Sequence, residues 1–246
     1  MTSEAASLTA VMPALNEEEG LADAVAQVAA ALGRTTPSWQ IVVVDDGSTD
    51  RTAEVARGLA AADPRVSVEV HGRNLGIGAA MRTGIAAARC DYVMIVPADI
   101  AFDLAALPGM FAAARTCDVL VCLRSDRRDY TLFRRLVSVC YIAFIRALYG
   151  LKCRQFNYIH VYRREIFRTI SFDSSGVFFH AEVLIRASDA GFRLVEHVVP
   201  YVPRTSGVQK GARPATIRRT ISDALSFRRR GRGRGAAPLV RPETRA

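Results

Sequence analysis

The chain has 246 residues, half of them apolar, and a net charge of +9. That length and apolar share provide for one large domain or two small ones around a sizeable core, and exclude a disordered polar chain. The positive charge is carried by Arg, with only Lys152 and Lys210 as lysines, which favours phosphate-rich partners: nucleotides, nucleic acid or an anionic membrane surface.

In chain order, short apolar runs rich in β-branched residues predict strands at LTAVM (8–12), QIVVVD (40–45), VSVEV (66–70), YVMIV (92–96) and DVLVC (118–122). Ala-rich segments with helical spacing separate them, and Asn16 is expected to cap the first, with Glu17, Glu18 and Glu19 in its dipole-favoured first turn. Strands alternating with helices of this length predict an α/β fold, an open, mostly parallel sheet flanked by helices, with one half reaching to about residue 123. Beyond it, SDRRDYTLFRRLVSVCYIAFIRALYG reads as a loop entering an amphipathic helix. A short strand near YIHVY, a helix over FFHAEVLIRASDAG and a last strand in FRLVEHVVPYV follow. The tail from residue 228, RRRGRGRGAAPLVRPETRA, is Arg, Gly and Pro rich and is expected to be disordered. The domain is therefore drawn at 1–227, in two halves of 8–123 and 124–227.

Cys90, Cys117, Cys122, Cys140 and Cys153 are odd in number, lack CxxC spacing and sit mostly in apolar runs, so they read as buried reduced thiols of a reducing compartment. MTSEAASLTAVMP lacks the basic flank and apolar core of a signal peptide. VSVCYIAFIRALYGL is interrupted by Arg146 and is shorter than the roughly 18–20 residues of a span. A cytoplasmic protein is expected, with peripheral contact to an anionic membrane through the tail and the helix around Phe133 to Tyr149.

In an open parallel sheet, ligands bind outside the carboxyl ends of the strands. Three acidic loops follow three predicted strands: PALNEEE, DDGSTD and PADIAFD. In DDGSTD, Gly47 permits a tight turn, Ser48 or Thr49 can cap the next helix, and Asp45 and Asp46 stand at the strand terminus, where a carboxylate can accept an imide or amine proton from a nucleobase. Read alone, the loop is equally a plain strand-to-helix turn.

Taken together, PALNEEE, VVVDDGSTD, RNLGIGAAMRTG and VPADI, in this order and at this spacing, resemble the family 2 glycosyltransferases of the GT-A fold, closest to the branch of dolichyl-phosphate mannose synthase and the polyprenyl-phosphate glycosyltransferases. The resemblance covers roughly residues 8 to 210. It implies that Pro13, Leu15, Glu17 and Asp46, with Asp45, Arg73 and Ala98 nearby, hold the nucleotide of a sugar donor. SGVFFHAEVLIRASDAGF and RTSGVQK resemble the family's aromatic–Glu–helix segment and its closing basic motif. Arg124, Arg134 with Ser138, and Arg204 fall where the family gathers bases around the transferred and acceptor phosphates, and bidentate contacts from them can neutralise a leaving diphosphate. Arg204 and Lys210 are expected to form a basic flap over the donor phosphates.

The family's usual DxD is altered, with Pro97 in place of the first Asp and Ala101 in place of a Gln. Asp99 alone retains the pattern, so the Mg²⁺ or Mn²⁺ site that the resemblance implies is expected to be weakened. Asp103 reads as a helix cap. The tract CRQFNYIHVYRRE also departs, with Gln155 replacing an acid and His160 reading as a packed core residue. The expected activity is transfer of a sugar from a nucleotide diphosphate to a polyprenyl phosphate by inverting in-line displacement. A phosphate oxygen is already anionic, so no general base is required. Two alternatives are transfer to a hydroxyl of a small molecule or glycan, with Glu182 as base, and an impaired relative that only binds nucleotide sugar. Glu182 can equally pair with Arg186 four residues on. The basic tail raises nucleic-acid binding, which three acidic loops would oppose.

Overall fold

The computed structural model describes residues 6–100, 102–126, 131–200, 214–231 and 239–240. Strands β1 (Leu8–Ala14) and β2 (Trp39–Asp45) are buried almost throughout, because helices cover both faces of their sheet. That is why they read as continuous apolar runs rather than as alternation. With β3 (Val66–Val70), β4 (Tyr92–Ile95), β5 (Val119–Arg124), β6 (His160–Arg163) and β7 (Leu194–Val199) they form one seven-stranded sheet of order β3-β2-β1-β4-β6-β5-β7. All neighbouring pairs are parallel except those of β6, which runs antiparallel to β4 and β5. The chain builds outward from β1 to β3, then returns to place β4 on the other side of β1. That reversal leaves a crevice at the carboxyl ends of β1 and β4.

The alternation of side chains divides the core. Met12, Val43 and Met94 face α1 (Leu21–Thr35), α2 (Thr52–Ala62) and α4 (Leu107–Ala114). Val11, Val44 and Ile95 face α3 (Ile77–Ala87), α5 (Leu132–Tyr149), α6 (Phe179–Asp189) and α7 (Pro214–Arg230). Each fully buried aliphatic side chain contributes about 1.5–3 kcal/mol. The α/β, mostly parallel reading is borne out, and each predicted strand is present within a few residues of its expected bounds.

Three local expectations are corrected. Asn16 does not cap α1, which begins five residues later at Leu21 behind Gly20. Its backbone takes φ 56°, a left-handed conformation Asn tolerates, and its side chain turns toward the neighbouring loop instead. Ser48 and Thr49 likewise do not cap α2, whose first residue, Thr52, is bonded by Asp50. The first three residues given to the basic tail are helical, since α7 continues through Arg230, and Leu239 and Val240 donate backbone N–H groups to the Phe167 carbonyl, with Val240 buried; the rest of the expected tail beyond residue 231 lies outside the described residues. Four cysteines are buried as expected, and Cys140 is exposed; none is in a disulfide. Asp103 caps the short 3₁₀ turn Leu104–Ala106 by accepting from the Ala105 N–H at 2.9 Å.

Candidate functional site

The loops after β1 and β2 are stitched to each other. Asn16 donates its N–H to the Ser48 hydroxyl at 2.9 Å and accepts from the Thr49 N–H at 2.9 Å. The Glu17 N–H donates to the Thr52 hydroxyl at 2.8 Å, and Glu18 accepts from the Arg51 N–H at 2.9 Å. Asp45, buried at the end of β2, accepts from the N–H and the hydroxyl of Ser48 and so shapes the turn. Gly47 sits at φ 74°, and a Cβ there would lie 2.2 Å from the Arg73 carbonyl carbon, so only glycine lets this turn lie against the segment after β3.

Between these loops and the one after β4 is a cleft of about 220 Å³. Pro13, Leu15 and Glu17 line it from the first loop, Asp46 from the second, and Pro97, Ala98 and Asp99 from the third. The entry to α3 closes it with Asn74, Gly76, Ile77 and Ala80. Arg73 is exposed, next to the lining Asn74, and is not itself part of the lining; Asp45 lies behind the lining.

Asp46 is 5% exposed and is held through both carboxylate oxygens. Its Oδ1 accepts from the Leu75 N–H at 2.9 Å and lies 2.7 Å from His71 Nδ1, while Oδ2 accepts from the Gly76 N–H at 2.8 Å. Because an ionised carboxylate only accepts, His71 Nδ1 carries a proton; in the neutral ring Nε2 then accepts from the Thr83 hydroxyl, 2.9 Å away. A carboxylate has about four acceptor positions. Three are used by the protein, and Oδ2 keeps one.

Glu182, at the start of α6, is fully buried and does not line the cleft. Its carboxylate accepts from the backbone N–H groups of Asp173 at 3.2 Å and Ser174 at 3.0 Å, from the Ser174 hydroxyl at 2.5 Å, and from Arg186 Nε at 3.1 Å. A base for an incoming hydroxyl must reach that hydroxyl, and this carboxylate is enclosed. The segment it anchors abuts α3: Ser175 O accepts from the Gly78 N–H at 2.9 Å, and a Cβ on Gly78 would lie 2.0 Å from Ser174 O. Glu182 thus supports the wall of the cleft from behind.

Arg124 ends β5, at the same sheet edge as the cleft, and is 9% exposed. Gln155 holds it in place by accepting from its N–H at 3.2 Å and donating to its carbonyl at 3.3 Å. Arg134 lies in the first turn of α5, which Thr131 caps by accepting the Arg134 N–H at 3.2 Å. Arg204, Lys210 and Ala101 lie outside the described residues. His160 and His180 are buried with ring centroids 5.6 Å apart; burial pushes the His160 ring down to about 4 and the His180 ring well below its ordinary value.

Three carboxylates, Glu17, Asp46 and Asp99, line the cleft, yet among the described residues no three His, Cys, Asp or Glu side chains gather closely enough to cage a metal. A hard cation that keeps most of its waters and shares a ligand's phosphates needs few protein oxygens, and these carboxylates are among the side-chain oxygens that the cleft offers. Sequence reasoning missed His71, Asn74, Gly76 and Ile77. The RNLGIG motif was visible, but its charged member drew attention instead of its backbone.

A family model described as glycosyl transferase family 2 matches residues 9–173. Dodecaprenyl-phosphate galacturonate synthase of Rhizobium johnstonii is 32% identical over 89% of this chain and 65% of its own length. Undecaprenyl-phosphate 4-deoxy-4-formamido-L-arabinose transferase of Pectobacterium carotovorum is 32% identical over 68% of this chain and 51% of its own. The chain therefore spans less than two thirds of either relative. Among solved structures, glucosyl-3-phosphoglycerate synthase from Mycobacterium tuberculosis in complex with Mn²⁺, UDP and phosphoglyceric acid superposes with a TM-score of 0.69 at 22% identity, covering 90% of this chain and 78% of that one. That likeness establishes the fold as GT-A-like.

Proposed function

Since the chain belongs to glycosyl transferase family 2, we propose that it moves a sugar from a nucleoside diphosphate sugar to the phosphate of a polyprenyl phosphate at a membrane surface. The observation that carries the donor half is Asp46: a carboxylate fixed at the cleft wall with one acceptor position left on Oδ2 suits a base that presents a ring N–H, such as uracil or guanine. The acceptor half draws on the two relatives, whose names specify dodecaprenyl and undecaprenyl phosphate.

In the reaction an acceptor phosphate oxygen attacks the anomeric carbon as the bond from that carbon to the donor diphosphate breaks, with inversion. The nucleoside diphosphate leaves with the electron pair, and no proton has to be removed from the nucleophile. The protein's work is orientation and charge screening. Arg124, Arg134, Arg204 and Lys210 are assigned to the acceptor phosphate and the leaving diphosphate. Asp99 would hold a divalent cation, which would supply further charge neutralisation on the diphosphate; with Pro97 offering no side-chain oxygen, the protein would contribute little to its affinity. Glu182, enclosed behind the wall, gives the hydroxyl-acceptor alternative no accessible base at that position.

The test is donor screening by thermal shift with a panel of nucleotide sugars, followed by transfer of labelled sugar from the best donor. Label that partitions into the organic phase with a polyprenyl phosphate is the expected result. Label that enters only water-soluble hydroxyl acceptors would refute the acceptor assignment.

A further inference from the structure

The solvent face of α5 is apolar. Leu132 is 84% exposed, Phe133 60%, Leu136 61% and Val139 58%, and Cys140, Ala143 and Ala147 continue the same stripe at helical spacing. The opposite face is also apolar: Ile145 and Tyr149 are buried in the core, and Tyr141 packs edge-on against Phe156. A helix with two apolar faces needs both of them covered. Here one half is covered by the protein and the other is not.

Charge selects the occupant. The helix contains no acid, and Arg135 and Arg146 are exposed beside the stripe. Its carboxyl end is joined to α7, where Tyr149 donates its hydroxyl to the Ala224 carbonyl and Arg228 donates to the Leu148 carbonyl. On α7, Ile221 is 41% and Leu225 39% exposed, and Arg218, Arg228 and Arg229 are exposed beside them at helical spacing. Apolar residues rimmed by arginine match a bilayer surface carrying anionic headgroups. A second copy of the chain would instead bring one arginine-rich face against another.

We infer that the outer faces of α5 and α7 form the surface by which this protein docks on an anionic bilayer, with Leu132, Phe133, Leu136 and Val139 entering the acyl boundary. The inference rests on the lipid-acceptor reading for its purpose but not for its physics. Phe156 adjoins Gln155, which bonds the backbone of Arg124 at the carboxyl end of β5, so α5 is held at the same sheet edge as the cleft. Docking there brings the reaction edge, rather than the opposite edge, to the lipid.

The experiment is flotation with vesicles of phosphatidylcholine alone or mixed with phosphatidylglycerol, without donor or acceptor, so that loss of docking and loss of transfer are read separately. The wild type should float with the mixed vesicles at low salt, and bind about tenfold or more weakly when salt is raised or the anionic lipid is omitted. Leu132→Glu with Leu136→Glu should abolish flotation while melting temperature stays unchanged, since both positions are solvent-exposed. An environment-sensitive dye on Cys140, the one exposed cysteine, should shift to the blue on mixed vesicles in the wild type only. Absence of flotation on mixed vesicles overturns the inference, as does flotation of the double variant equal to wild type. A dimer in solution that Leu136→Glu dissociates would assign the face to a second copy and overturn it as well.

Discussion

Replacing Asp46 with Asn keeps the shape of the side chain and changes what it can accept. With the amide oxygen at the position of Oδ1, the His71 and Leu75 bonds survive, but the Gly76 N–H then meets an NH₂ group. Leaving that buried N–H unpaired costs about 1–3 kcal/mol. Removing the charge from the two remaining bonds costs roughly another 1 kcal/mol, since charge-assisted bonds are about twice as strong as neutral ones. A total of about 2–4 kcal/mol corresponds to a fall in melting temperature of roughly 4–16 °C for a domain of this size. The same NH₂ occupies the acceptor position left for the base, so nucleotide affinity measured calorimetrically, well below the new melting point, should drop about tenfold or more, or at least 1.4 kcal/mol. A melting temperature unchanged by the substitution would refute the structural network. Unchanged affinity in a destabilised variant would refute contact with the base while leaving the network standing.

Glu182→Ala leaves the buried Arg186 without its nearest carboxylate and should cost about 3–5 kcal/mol, read as a lowered urea midpoint; full stability with abolished transfer would restore Glu182 as a catalytic group. His160 is held near 4 in the folded protein against 6.5 when exposed, and His180 is depressed as well, so the unfolded chain binds more protons between those values. Stability should therefore be complete above pH 6.5 and fall as pH drops toward 4, by on the order of 3 kcal/mol for His160 alone; His160→Gln should flatten that part of the urea-midpoint profile, and an unaltered profile would contradict it. Activity should respond to millimolar rather than micromolar Mg²⁺ or Mn²⁺, with Pro97→Asp lowering the required concentration and Asp99→Asn abolishing the response. Micromolar dependence unaffected by Asp99→Asn would show that the metal is held elsewhere.

The strands were legible because burial on both faces leaves a continuous apolar run, a signal that survives in one dimension. The acidic loops were legible as a site because a parallel sheet gathers its carboxyl ends. What was not legible was which partner each polar side chain would choose. Asn16 and Ser48 carry the signature of helix caps, yet each found a better partner in the neighbouring loop, 32 residues away in the chain. His71 gave no signal, since a histidine after a strand gains meaning only when Asp46 and Thr83 close on its two nitrogens. The end of α7 was hidden by composition: Arg228, Arg229 and Arg230 read as the start of a tail, while Thr220, Ala224 and Phe227 form the buried stripe that holds the helix to the core.

The cross-loop bonds of Asn16, Glu17 and Glu18 make one side of the cleft part of the folding unit formed by β1, α1 and β2. A nucleotide arriving there freezes no backbone on that side, so the entropy of ordering those loops is absent from its binding free energy. Heating should not loosen the pocket ahead of the sheet: ligand affinity and the far-ultraviolet signal of the strands should disappear over the same interval of temperature, because on that wall the binding surface and the fold are one cooperative structure.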